Sequence, residues 1–176
     1  ARVSSGIGVS ANSARGTLLL SEAGDNSVTA TSLEISEADS GANGNRESRL
    51  TLGGNTNTLN IDTITVGAKK GRGLLDIVAG GSITINGTAG APALANLVVG
   101  DNNVNTSTQS NGVVDFRGGS VTGNFETISL GIHGQSTNTN GRGVGSLFFD
   151  DGTIKANTIT LASPSNVGTS AGASNT

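Results

Sequence analysis

Apolar and polar residues alternate in short triplets along most of the chain, and the triplets return at a fixed interval. "LEI", "ITV", "LVV", "ISL" and "ITL" begin at Leu33, Ile64, Leu97, Ile128 and Ile159, so successive copies are 31, 33, 31 and 31 residues apart. A second set follows the first: "LTL" (50–52), "LDI" (75–77), "VDF" (114–116) and "LFF" (147–149), with "LLL" (18–20) in a more degenerate opening copy. A third set is "LNI" (59–61), "SITI" (82–85), "SVT" (120–122) and "TIK" (153–155). The outer residues of most triplets are apolar, so they point inward and the middle residue points out. No segment has the 3.6-residue apolar period of a helix, which removes the leucine-rich, ankyrin and tetratricopeptide templates.

Three short strands per roughly 31-residue coil predict an all-β fold, a right-handed parallel β-helix (β-solenoid) with about 31 residues per coil. A propeller blade would need four hairpin-linked strands in about 40 residues or more. Residues 1–176 read as one solenoid segment, with coils starting near 1, 33, 64, 97, 128 and 159. Ile64, Leu97, Ile128 and Ile159 are expected to form one buried column. The array begins and ends inside the repeat, which predicts a window on a longer chain. It also predicts that Val3, Leu18 and Leu20 at one end, and Ile159 and Leu161 at the other, need a neighbour to shield them.

The turn residues fit this plan. "GG" at 80–81 and 118–119, with Asp151-Gly152 in the next copy, marks one corner, where positive φ carries no steric penalty for glycine. Asp62, Asn86, Asn124 and Asn157 follow the third strand of successive coils, which predicts an asparagine ladder at another corner. The insertions "GDNNVNTSTQSN" and "GIHGQSTNTNGRGVG" follow the first strand, so long polar loops should project from one side.

Composition narrows the class. Gly (28), Ser (21), Thr (21) and Asn (19) make up half of the 176 residues, and only 13% are charged. The regular Ile, Leu and Val spacing argues against disorder. With no cysteine there are no disulfides and no thiolate metal sites. Ten scattered basic residues within a net charge of −3 leave no electrostatic footprint for nucleic acid. No apolar run is long enough to cross a membrane as a helix, and no signal peptide opens the chain.

The unit "VGDNNVNTSTQSNGVVDFRGGSVTGNFETISLG" resembles the β-strand repeats of bacterial autotransporter passengers and related giant surface proteins, over about residues 33–161. The resemblance implies an exported, extracellular or cell-surface protein of bacterial origin, adhesive or structural in type. It carries no diagnostic catalytic motif and no translocator barrel.

The candidate sites are few. Asp76 and Asp115 occupy the outward centre of the second strand in adjacent coils, in a column that reads Leu19, Thr51, Asp76, Asp115, Phe148. Paired carboxylates suit a calcium ion or the acid and base of a polysaccharide lyase or hydrolase. A solvated face is the simpler explanation, and a bound calcium the better functional one, since no Trp or Tyr supplies a sugar platform. Apart from that calcium candidate no cofactor is expected. Arg117, Asp150 and Asp151 are the nearest further charges. His133, the single histidine, lies in a polar loop without Cys, Ser or Asp partners at a recognisable spacing. Gly71-Arg72-Gly73 precedes no helix, so it is not a phosphate loop.

"TIT" (63–65), "TIS" (127–129) and "TIT" (158–160) set hydroxyls outward, as ice-binding faces do, but Ser32/Glu34 and Asn96/Val98 interrupt the rank. The ordinary β-propensity of threonine explains it more simply. Asn86-Gly87-Thr88 and Asn105-Thr106-Ser107 match the N-glycosylation pattern. The expectation is therefore a non-enzymatic structural or adhesive segment of a stalk, sheath or filament. Its expected partners are copies of itself, head to tail or side by side, and surface glycans. A polysaccharide lyase or hydrolase, and a glycan- or ice-binding β-helix, are the alternatives.

Overall fold

The computed structural model describes residues 5–6, 15–38, 47–103, 108–133 and 142–162. These residues are all-β, without helix, and 72% of them are in strands. The strands form two parallel sheets. The larger runs β1 (Ser5–Gly6), β3 (Asn26–Ala38), β5 (Thr56–Lys69), β7 (Ser82–Asn86), β10 (Ser120–His133) and β12 (Asp151–Leu161), with β8 (Ala95–Asn102) also between β5 and β10. The smaller runs β2 (Thr17–Leu19), β4 (Glu47–Leu52), β6 (Arg72–Ile77), β9 (Ser110–Asp115) and β11 (Gly143–Phe148).

Register follows the sequence repeat. Leu33, Ile64, Leu97, Ile128 and Ile159 are consecutive cross-strand neighbours. So are Leu18, Leu50, Leu75, Val114 and Leu147 in the smaller sheet. A shift by one residue would turn every inward side chain to solvent, so burial pins the alignment. Leu33, Ile64, Leu97 and Ile128 are buried in one hydrophobic cluster that draws on both sheets. Ile159 stands in the same column but is 60% exposed, because no described strand covers the outer edge of β12. The expectation that it is buried with the others is corrected on that point.

The expected division into three short strands per coil also changes. The third and first triplets run together as single strands in β3, β5, β10 and β12. Within β5, Asn57, Leu59 and Ile61 are buried, then Ile64 and Val66. The intervening Asp62 and Thr63 are both partly exposed. Two outward residues in succession reverse the alternation and turn the strand around a corner. Glu126 and Thr127 repeat this in β10. Only the insertion at 87–94 parts the two triplets, as β7 and β8.

A second corner closes the first triplet of each repeat. Ser36, Gly67, Gly100, Gly131 and Ala162 each follow it, with φ of 64°, 71°, 71°, 71° and 52°. At Gly100 a Cβ would collide with the Val144 carbonyl, since the two sheets approach backbone to backbone there.

Phe125 shows how the core accommodates a ring. Its cross-strand neighbours are Ala95 and Ala156, and its ring fills the space a Cβ on Gly123 would need. Volume is exchanged between positions rather than added, which keeps the packing dense.

Candidate functional site

The outward face of the smaller sheet gathers the charged candidates. Asp76 and Asp115 are cross-strand partners, and the column from Leu19 through Thr51, Asp76 and Asp115 to Phe148 is continuous. Each carboxylate is matched by its own guanidinium. Arg49, on the preceding strand, holds Asp76 in a bidentate ion pair, its Nε donating to Oδ1 at 3.2 Å and its Nη2 reaching Oδ2. Arg117 Nε donates to Asp115 Oδ1 at 2.9 Å, and its Nη2 to Oδ2 at 2.6 Å. The Arg117 backbone N–H adds a bond to Oδ1 at 3.1 Å. Two like charges on adjacent strands would repel, and the alternating arginines remove that repulsion. Arg117 also lies 4.7 Å from the centre of the Phe148 ring, within cation–π range.

These contacts set the protonation state. The Arg117 side chain, opposed only in part by desolvation, holds the Asp115 carboxyl below its ordinary value. A glycosidase needs one carboxyl raised, so that it donates a proton near neutral pH. Asp115 is driven the opposite way. A calcium ion between the two aspartates would have to displace guanidinium donors that already fill the carboxylate lone pairs. Among the described residues no group of three His, Cys, Asp or Glu side chains converges.

Beside this face the glycine corner forms a shallow open groove lined by Gly80, Gly81, Ser82, Gly118, Gly119, Ser120, Asp150 and Asp151. Gly80 and Gly118 have φ of 85° and 81°, in keeping with the turn expected there. Both oxygens of Asp150 accept from the Gly118 backbone N–H at 3.1 Å. The aspartate therefore caps the corner of the preceding repeat. The groove offers no nucleophile beside a base.

Other candidates fall differently from expectation. His133 is the last residue of β10, beside Asn102, and not part of a loop. Asn86 is buried within a ladder, accepting from Asn124 Nδ2 at 2.9 Å and donating to Asn60 Oδ1 at 3.4 Å. The acceptor pattern at 86–88 is thus not presented to solvent. Asn105 and Val3 lie outside the described residues. The ladder itself is Asn60, Asn86 and Asn124, two residues earlier in its first member than expected. Asp62 instead accepts from the Thr88 N–H at 2.8 Å and its hydroxyl at 2.7 Å, and Asn157 donates to Glu126. The Thr88 bonds, backbone first, keep the Asp62 carboxyl below its usual range.

Residues not anticipated lie at the loop-bearing corner. Asn102 and Ser110 are buried on either side of 103–109, and Asn102 Oδ1 and Ser110 Oγ have no hydrogen-bond partner. Asp101 beside them is pushed up by desolvation. Their burial reflects the left-handed turn at Gly100, which resets the strand alternation and is invisible to a period-two reading. Compared with known proteins, the chain matches no family model, no curated protein and no solved structure.

Proposed function

We propose that this chain is a structural or adhesive segment of a bacterial extracellular or cell-surface protein. In this reading it is a right-handed β-solenoid of about 31 residues per coil, serving as part of a stalk, sheath or filament. The observation that carries the reading is the set of apolar columns, five residues deep and in register across both sheets. Stacked coils share backbone hydrogen bonds with both neighbours, so stiffness comes from repetition and not from any one residue. The paired arginines and aspartates keep the smaller sheet's face solvated and close to neutral. Polar loops after the first triplet are the surfaces for partners, whether surface glycans or neighbouring rods, while the coil ends provide for self-association. No nucleic acid, membrane insertion or cofactor enters the role.

A glycan- or ice-binding face is the second reading. Ser32, Thr63, Asn96, Thr127 and Thr158 form an in-register outward rank, but Thr127 Oγ1 is engaged by Asn96 Oδ1 at 2.8 Å. The parallel rank mixes Glu34, Thr65, Val98, Ser129 and Thr160, so no uniform hydroxyl lattice results. A polysaccharide lyase or hydrolase is disfavoured by the lowered Asp115 carboxyl. Electron micrographs of purified protein test the structural role: rods or fibres are expected. Compact particles that depolymerise a polysaccharide, with loss on mutating Asp76 and Asp115, would replace this reading with the enzymatic one.

A further inference from the structure

Large apolar side chains exposed among the described residues are Leu18, Leu19, Leu94, Phe148, Phe149, Ile159 and Leu161. All but Leu94 lie on or next to an outermost strand, at one end of the stack or the other. The outward column of the smaller sheet is the informative case. Its middle members, Thr51, Asp76 and Asp115, are polar, as a solvated face requires. Its two ends are Leu19, 68% exposed, and Phe148, 40% exposed. Solvation gives no reason for a polar column to finish in a large apolar residue at both extremes. Contact between the ends gives one, because Phe148 would then have an apolar neighbour in place of water.

We infer that a second copy of this chain seats on the β11/β12 end in the register of the repeat, with its Leu19 opposite Phe148. The inference rests on the structural reading above and specifies its contact. Continuing the register places Leu147 against Leu18 and Phe148 against Leu19 in the smaller sheet. In the larger sheet it places Ile154 against Val28 and Ala156 against Ala30. Val28, Ala30, Ile154 and Ala156 are only partly buried within one chain, so each gains cover. Ile159 and Leu161 fall opposite Leu33 and Ile35, which are already buried. The junction must rearrange there, and the contact is carried by the other two stretches. Asp151 falls opposite Asp25, an opposed carboxylate pair that limits the affinity. Such a contact is heterologous and does not close on itself, so it propagates as a filament.

The chain has no cysteine, so disulfide trapping in the full 176 residues is clean. Leu19→Cys and Phe148→Cys are made separately, mixed and oxidised, with Leu94→Cys plus Phe148→Cys as an exposed but non-terminal control. In register, the two Cα atoms lie within the bridging range of ~4.4–6.8 Å, so at least about tenfold more mixed disulfide than in the control is expected. Asp151→Asn, added to the Phe148→Cys chain, should raise the yield further. Equal yields in test and control, or no gain from Asp151→Asn, would overturn the proposed junction. An Asp76→Cys/Asp115→Cys variant closes within one chain if the coils stack as described. Its closure without the intermolecular bridge would sink the junction alone. Failure of both would sink the stacking on which it rests.

Discussion

Replacing Leu97 with alanine tests the packing most sharply. Leu97 is 1% exposed and stands between Ile64 and Ile128 in the central column. Truncation removes three carbons and leaves a cavity whose walls cannot close, because each neighbour is pinned by its own strand ladder. Measured Leu→Ala costs run about 2–5 kcal/mol, depending on how far the site collapses. A site this constrained belongs in the upper half, at about 4 kcal/mol. At about 2–4 °C per kcal/mol for a domain of this size, the melting temperature should fall by roughly 8–16 °C. Leu161→Ala, at a residue 67% exposed, is the control and should move it by about 2 °C or less. The assay is thermal and urea unfolding followed by far-UV circular dichroism, with the urea slope checked for a change in cooperativity. Equal, small shifts for the two variants would refute the column. Leu97→Asp, which buries an unpaired charge, should be worse than Leu97→Ala.

Three further outcomes follow from particular contacts. Gly123→Ala should destabilise by about 1–3 kcal/mol through overlap with the Phe125 ring, and Phe125→Leu should recover part of that loss; additive effects in the double variant would contradict the shared space. Asp62 and Asp115 have lowered carboxyls, so the stability they contribute is present above the ordinary carboxylate pKa of about 4 and is lost as pH falls through the folded values. Asp101 is raised and has the opposite sign, its contribution being lost as pH rises through its folded pKa. Asp115→Asn should therefore flatten the acid limb of a stability-against-pH curve, and Asp101→Asn should stabilise the protein at neutral pH. The melting temperature should be the same in calcium and in chelator, whereas Arg49→Gln/Arg117→Gln should respond to calcium; a response in the unmodified chain would establish the Asp76/Asp115 calcium site instead.

Much of the register was legible because the insertions fall in turns and leave the triplets intact. Leu33 to Ile159, and Leu18 to Leu147, align by counting alone. Corners were harder, because they depend on backbone geometry that residue type only partly encodes. Asp62 and Thr63 look like two more members of an alternating run, yet they turn β5 and merge two expected strands into one. The same corner displaced the ladder from Asp62 to Asn60. The left-handed column could be half seen in Gly67, Gly100 and Gly131, but Ser36 and Ala162 hide it at the ends. At the candidate site, the adjacency of Asp76 and Asp115 followed from the repeat. The Arg49 partner did not, because the pairing crosses between repeats and depends on side-chain direction. Arg117 was foreseen only as a nearby charge.

The central claim is that strands about 31 residues apart in sequence lie side by side and parallel. Nuclear Overhauser contacts in an isotope-labelled sample test it most directly. Backbone cross-peaks should link Ile64 to Leu97 and Leu97 to Ile128 in one sheet, and Leu50 to Leu75 and Leu75 to Val114 in the other. Cross-peaks joining triplets adjacent in sequence, such as 50–52 with 59–61 in antiparallel pairing, would contradict the claim and describe a meander of hairpins in place of stacked coils.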